Sequence, residues 1–127
     1  MSEPGQDRPL VLLVEDNETI RHAFTILLEE SGYRVAEAGS GEAALEITRR
    51  ERPALILMDL GLPDITGVEV TRRLKADPET RDVLVVALTG RAMEADREAC
   101  LAAGCSAYYV KPVDTRQLLR DIDGFLR

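Results

Sequence analysis

The sequence predicts an α/β domain, (βα)5 in pattern: a doubly wound parallel sheet of five strands with helices on both faces. Three observations carry this expectation. Short apolar strand candidates alternate with helical patterns five times along the chain. Three of those strands are unbroken apolar runs, Leu-Val-Leu-Leu-Val at 10–14, Leu-Ile-Leu-Met at 55–58 and Val-Leu-Val-Val-Ala-Leu at 83–88, the signature of strands buried on both sides. A length of 127 residues suits one domain and is too short for two.

Taken in order, residues 1–8 are polar and read as a flexible tail, with the domain spanning 9–127. The strands are predicted at Leu10–Val14, Tyr33–Ala38, Leu55–Asp59, Val83–Leu88 and Ala107–Val110. The first helix carries Ile20, Phe24, Leu27 and Leu28 on one stripe and stops at Gly32, a residue free to adopt the left-handed conformation. The second runs from about Ser40 to Arg52, and the third from about Thr66 to Asp77, before Pro78. The fourth, Arg91 to Ala103, is alanine-rich and ends at Gly104; the fifth repeats the stripe with Leu118, Ile122, Phe125 and Leu126. Charged Arg34 and Glu37 in the second strand, and the shortness of the fifth, suit both to the edges. The simplest order that puts them there is 2-1-3-4-5, as in flavodoxin-like sheets, whose ligand site lies beyond the C-terminal strand ends between strands 1 and 3.

Composition narrows the function. Apolar residues are 45% and charged residues 31%, which excludes a disordered or collagenous chain. No apolar run approaches the roughly 20 residues of a membrane span, and the start of the chain has no apolar signal-peptide core. A soluble, cytoplasmic domain is expected. Residues 1–64 hold 13 acids against 6 bases, and residues 65–127 hold 10 of each, so the whole net charge of −7 belongs to the first half. Such a balance does not favour direct nucleic-acid binding, which needs clustered Lys and Arg. Cys100, Cys105 and the single histidine, His22, are too few for a structural zinc site. A reducing cytosol argues against a disulfide, so the cysteines are read as small core or turn residues and His22 as a surface residue.

The predicted strand ends carry chemistry. Strand 1 ends in Glu15-Asp16, strand 3 in Asp59, strand 4 in Thr89, and strand 5 in Lys111-Pro112. One edge thus gathers three carboxylates, a hydroxyl and an ammonium. Each alone reads as a turn former or a cap. Together the acids repel one another and call for a cation, and an all-oxygen set completed by water or phosphate oxygens favours Mg²⁺ over zinc or iron. The chain uses 14 Arg and only two Lys, so a lysine at a strand end hints that a compact point charge is needed there.

At this point the sequence resembles a known family. Val11-Leu12-Leu13-Val14-Glu15-Asp16-Asn17, Leu57-Met58-Asp59-Leu60-Gly61-Leu62-Pro63-Asp64 with Gly67, Ala87-Leu88-Thr89-Gly90 and Tyr108-Tyr109-Val110-Lys111-Pro112 resemble, in order and spacing, the receiver domains of two-component response regulators over about residues 9–127. The resemblance implies a phosphorylation-activated switch. Asp59 would accept a phosphoryl group from a phosphohistidine of a histidine kinase or histidine phosphotransfer protein. Glu15, Asp16, Asp59 and the backbone carbonyl of Gly61 would hold Mg²⁺. Lys111 would pair with a phosphoryl oxygen, and Lys111–Pro112 would be cis. Thr89 and Tyr108 would be the switch residues, altering the face of the fourth helix, fifth strand and fifth helix that a downstream protein target reads. Tyr109 reads as an ordinary edge-strand aromatic. Gly61, without a side chain, and Arg91, a donor only, occupy the positions that tune phosphate lifetime, and predict slow loss.

The resemblance implies a protein that catalyses only its own phosphorylation and dephosphorylation, and the sequence is read as having no output domain. Two alternatives stand beside it: a receiver domain excised from a hybrid histidine kinase, and a Mg²⁺-dependent aspartyl-phosphate hydrolase. The hydrolase would want a second acid two residues after Asp59, where Gly61 stands. The sequence leaves open whether phosphorylation drives homodimer formation.

Overall fold

Parallel strands buried on both faces demand apolar side chains pointing both ways, and the chain supplies them. The computed structural model describes residues 8–90 and 94–126, without the side chains of 94 and 95; the expected tail up to residue 7, and Arg91, lie outside these. The elements are β1 (Leu10–Val14), α1 (Glu18–Glu30), β2 (Arg34–Ala38), α2 (Gly41–Glu51), β3 (Leu55–Asp59), α3 (Gly67–Ala76), β4 (Leu84–Thr89), α4 (Glu94–Ala103), β5 (Ala107–Val110) and α5 (Thr115–Phe125). The sheet is parallel throughout, with order β2-β1-β3-β4-β5.

Alternation along the strands divides the interior into two cores. Leu12, Val14, Ile56, Met58, Val85 and Ala87 face Leu45, Val70, Leu74 and Cys100 of α2, α3 and α4. Val11, Leu13, Leu55, Leu57, Val86 and Leu88 face Leu28 of α1 and Leu118 and Ile122 of α5. Full burial of one such aliphatic side chain contributes about 1.5–3 kcal/mol, so the six from each strand face dominate the packing. The strand order reverses between β1 and β3, which opens the crevice at their C-terminal ends. No helix among the described residues is long and apolar enough to cross a membrane.

Helix starts are set by side-chain caps: Asn17 accepts from Ile20 N, Ser40 from Ala43 N, Thr66 from Glu69 N, and Asp114 from Arg116 N and Gln117 N. The stripe of α1 differs in part from the sequence pattern. Phe24 and Leu28 turn inward and Thr25 is buried, but Ile20 is exposed. Ile20 lies in the first turn of α1, next to the strand ends, where the sheet beneath it stops.

Two helices end in the same way. In α1, Gly32 N donates to Glu29 O and Tyr33 N to Leu28 O; in α4, Gly104 N donates to Leu101 O and Cys105 N to Cys100 O. Both are Schellman turns, with Gly32 (φ +98°) and Gly104 (φ +113°) in the left-handed region. Such a turn brings the residue after the glycine onto the last buried residue of the helix. In α1 that pair is Leu28 with Tyr33. In α4 it is Cys100 with Cys105, both buried, with Cα atoms 5.7 Å apart and joined as a disulfide. The expectation of two unpaired cysteines is therefore corrected. It weighed the compartment, while the turn places the two Cα atoms within bridging distance.

Gly104 also touches α3: a Cβ there would lie 2.8 Å from Lys75 Cγ, whose ammonium caps the carbonyls of Arg81, at 2.9 Å, and Val83. Gly104→Ala should lower the unfolding free energy by about 2 kcal/mol, from the left-handed penalty and the displaced lysine stem. Arg52, which closes α2 at φ 48°, is the opposite case. Arg52→Gly should gain about 0.5 kcal/mol. Urea unfolding midpoints check both, and equal signs would contradict the assignment.

Candidate functional site

Register brings the site together. Val14 pairs with Met58 across β1 and β3, so Glu15 and Asp59, one residue further on each strand, stand side by side. Glu15 N donates to Ala38 O, Leu60 N to Leu88 O and Lys111 N to Thr89 O, so the ladder continues past the last strand residues and fixes the backbone at the edge. Asp16 follows Glu15, and Asn17 then caps α1. Asp59 closes β3 and Thr89 closes β4, both buried.

Carboxylate oxygens of Glu15, Asp16 and Asp59 lie within 4.8 Å of one another. Lys111 Nζ sits 2.9 Å from Glu15 Oε1 and 3.7 Å from Asp59 Oδ1. Glu15 is only 4% exposed and Asp59 only 9%, so these charges have little water around them. The ammonium thus meets two of the three carboxylates, while Asp16 is exposed to solvent. An all-oxygen set of this kind is the donor chemistry that Mg²⁺ takes, so these three acids could hold a divalent cation. Backbone donors complete the pattern: Gly61 N donates to Asp59 Oδ1 at 3.2 Å and Asn17 N to Glu15 Oε2 at 3.3 Å. Beside the acids lies a cavity of about 420 Å³ lined by Asp59, Gly61, Thr66, Val68, Thr89 and Asp96.

The sequence-predicted residues Glu15, Asp16, Asp59, Thr89, Gly61 and Lys111 thus share one edge, and Lys111–Pro112 is cis. Arg91 lies outside the described residues. Tyr108 is half-buried against the α2–α3–α4 core, and Tyr109 lies against the α1–α5 core. Tyr109 is more than an edge aromatic, because its hydroxyl bonds the carboxylate of Asp121 on α5. Burial, then that carboxylate, pushes the phenol up to about 12; the same bond, with one from Gln117, holds the Asp121 carboxyl low.

Three supporting residues escape a reading of strand ends. Arg21, on α1, donates to the Glu15 carbonyl at 2.8 Å and pairs with Glu37 at 2.9 Å, tying the acid pair to β2. Asp64 accepts from Gly41 N at 2.8 Å and Glu42 N at 2.9 Å, fixing the β3–α3 loop to the start of α2. Asp96, on α4, lines the cavity with a buried Oδ2 that has no hydrogen-bond partner among the described residues. Asp64 stands in a quoted motif, but its acceptor role depends on backbone groups 23 residues earlier.

Comparison with known proteins agrees with this geometry. The response regulator receiver domain family matches residues 11–123, and the chain belongs to that family. Among its relatives is the polar-differentiation response regulator DivK of Brucella anthropi, 42% identical over 116 residues, which cover 91% of this chain and 94% of DivK. A CheY-like receiver domain protein from Methanospirillum hungatei superposes with a TM-score of 0.87 at 31% identity, covering 94% of each chain. The receiver domain of the sensor histidine kinase PA1611 from Pseudomonas aeruginosa gives 0.86 at 36% identity, covering 94% of this chain and 98% of that one; it holds a magnesium ion in its active site cleft. The fold and family make this chain a receiver domain of two-component signalling, a phosphorylation-activated switch.

The Tyr109–Asp121 bond has a measurable consequence. A phenol whose folded value lies above 10.0, at about 12, adds stability that is present below pH 10 and lost as pH rises towards 12. Wild type should therefore lose more stability across that interval than Tyr109→Phe, read from denaturant midpoints. Parallel curves would show that the bond does not form.

Proposed function

We propose that Asp59 is the phosphoacceptor of this receiver domain, and that Glu15, Asp16, Asp59 and the carbonyl of Gly61 hold the Mg²⁺ it needs. The observation that carries the reading is the lysine-bridged acid cluster, three carboxylates within 4.8 Å with Lys111 Nζ against two of them. An Asp59 oxygen attacks the phosphorus of a phosphohistidine on a partner kinase or phosphotransfer protein. The new O–P bond forms as the P–N bond breaks, and the freed imidazole takes up a proton. Bound Mg²⁺ supplies positive charge that offsets the repulsion between the carboxylates and the incoming phosphoryl oxygens.

Lys111 leaves Glu15 for a phosphoryl oxygen, exchanging one charge-assisted bond for another. Thr89, at the end of β4, gives its hydroxyl to a second oxygen. Tyr108, on the same face as α4, follows inward, and the surface made by α4, β5 and α5 changes for a downstream protein partner. Acetyl phosphate or phosphoramidate with Mg²⁺ should add one phosphoryl group, seen by intact mass, and Asp59→Asn should add none. No gain in wild type, or equal gain in the variant, overturns the assignment.

Gly61 sets the lifetime of the product. A Cβ at this position would stand 4.0 Å from Asp59 Oδ1, so an added side chain would reach the acyl phosphate and orient an attacking water. Glycine offers none, so the phosphoryl group should persist for minutes or longer, and Gly61→Asn should shorten its life. Decay of wild type within seconds, with Mg²⁺ present, contradicts this.

A further inference from the structure

The β3–α3 loop, which carries Gly61, is tied at both ends. Gly67 N donates to Leu60 O at 3.1 Å, and a Cβ on Gly67 would stand 2.9 Å from Asp59 O, so the loop closes tightly on itself. Its middle is tied to a different helix. Asp64 takes the first two free N–H groups of α2, Gly41 N at 2.8 Å and Glu42 N at 2.9 Å, while Ser40 Oγ takes the third, Ala43 N, at 3.2 Å. A Cβ on Gly41 would lie 2.4 Å from Ile65 Cγ1 and 2.9 Å from Val70 Cγ2. Gly41 therefore lets the helix end press against the loop. The N–H groups of Glu42 and Gly41 also hold the Asp64 carboxyl down at about 2, so the acceptor is charged at neutral pH and matches the positive end of the helix.

We propose that Asp64 is a positioning residue: by clamping the β3–α3 loop to α2 it fixes the Gly61 peptide against Asp59, and so sets how tightly the site binds Mg²⁺. This rests on the assignment of the metal site above. The clamp acts through the backbone. Asp64 lies three residues from Gly61, whose N–H is bonded to Asp59 and whose carbonyl completes the proposed ligand set. A second consequence is that the start of α2 is mechanically joined to the proposed metal site.

The test separates the clamp from simple helix capping. Ser40→Ala also removes a cap of α2 but leaves the loop tied, whereas Asp64→Ala releases it. Mg²⁺ affinity is measured by calorimetry, and hydrogen exchange of the Gly61 amide by NMR. Asp64→Ala should weaken Mg²⁺ binding by about tenfold, the low end for groups that orient metal ligands, and should speed exchange at Gly61. Ser40→Ala should lower the melting temperature yet leave both readouts at wild-type values. Asp64→Asn, which keeps one acceptor oxygen, should fall between wild type and Asp64→Ala, and serves if the alanine variant does not fold. Equal affinity and equal Gly61 exchange in the Asp64 and Ser40 variants overturn the clamp alone. Wild type that binds no Mg²⁺ overturns the metal-site assignment, and the clamp with it.

Discussion

The constraint on which everything else depends is the burial of two like charges, Glu15 and Asp59, side by side at one sheet edge, with Asp16 exposed beside them. Glu15, Asp16 and Asp59 are gathered at one sheet edge and one ammonium, Lys111 Nζ, lies among them. Burying a charge without a partner is costly, so this edge is tolerable only because the rest of the fold is stable enough to hold it. Two largely apolar cores, one on each side of the sheet, provide that stability, and the parallel register supplies the geometry. Backbone bonds beyond the strand ends, Glu15 N to Ala38 O, Leu60 N to Leu88 O and Lys111 N to Thr89 O, hold these groups in place.

Much of this is legible in the amino-acid order because the central strands are buried on both faces. Such strands cannot hide a polar residue, so the first polar residue after each run marks where the strand leaves the core. Glu15, Asp59 and Thr89 stand at such places, and the strand bounds differ from the pattern by one residue at Tyr33, Val83 and Thr89. The family resemblance then gave those residues roles that strand-end position alone does not provide.

What escaped the sequence has physical reasons. Ile20 has the spacing of a core residue, but periodicity says nothing of where the sheet beneath a helix ends. Cys100 and Cys105 meet because a glycine turns the chain, a geometry that compartment-level reasoning does not address. Asp64 and Arg21 act on backbone atoms, at Gly41, Glu42 and the Glu15 carbonyl. A backbone partner leaves no side-chain signature, so such contacts emerge only when the chain is folded. Tyr109 carries no mark in the pattern beyond that of an edge-strand aromatic, because its acceptor, Asp121, stands 12 residues on, on a different element.

The distribution of aromatic rings has an optical consequence. The chain has no tryptophan and three tyrosines, so its near-ultraviolet absorption and emission come almost wholly from Tyr33, Tyr108 and Tyr109. Tyr33 and Tyr109 are each bonded through the hydroxyl to a carboxylate of α5, on the side of the sheet away from α4. Tyr108 alone stands on the α4 side. The domain therefore carries one tyrosine on the α2–α3–α4 side of its sheet and two, both bonded to carboxylates of α5, on the other, so its intrinsic spectrum has a contribution from each side without an attached label.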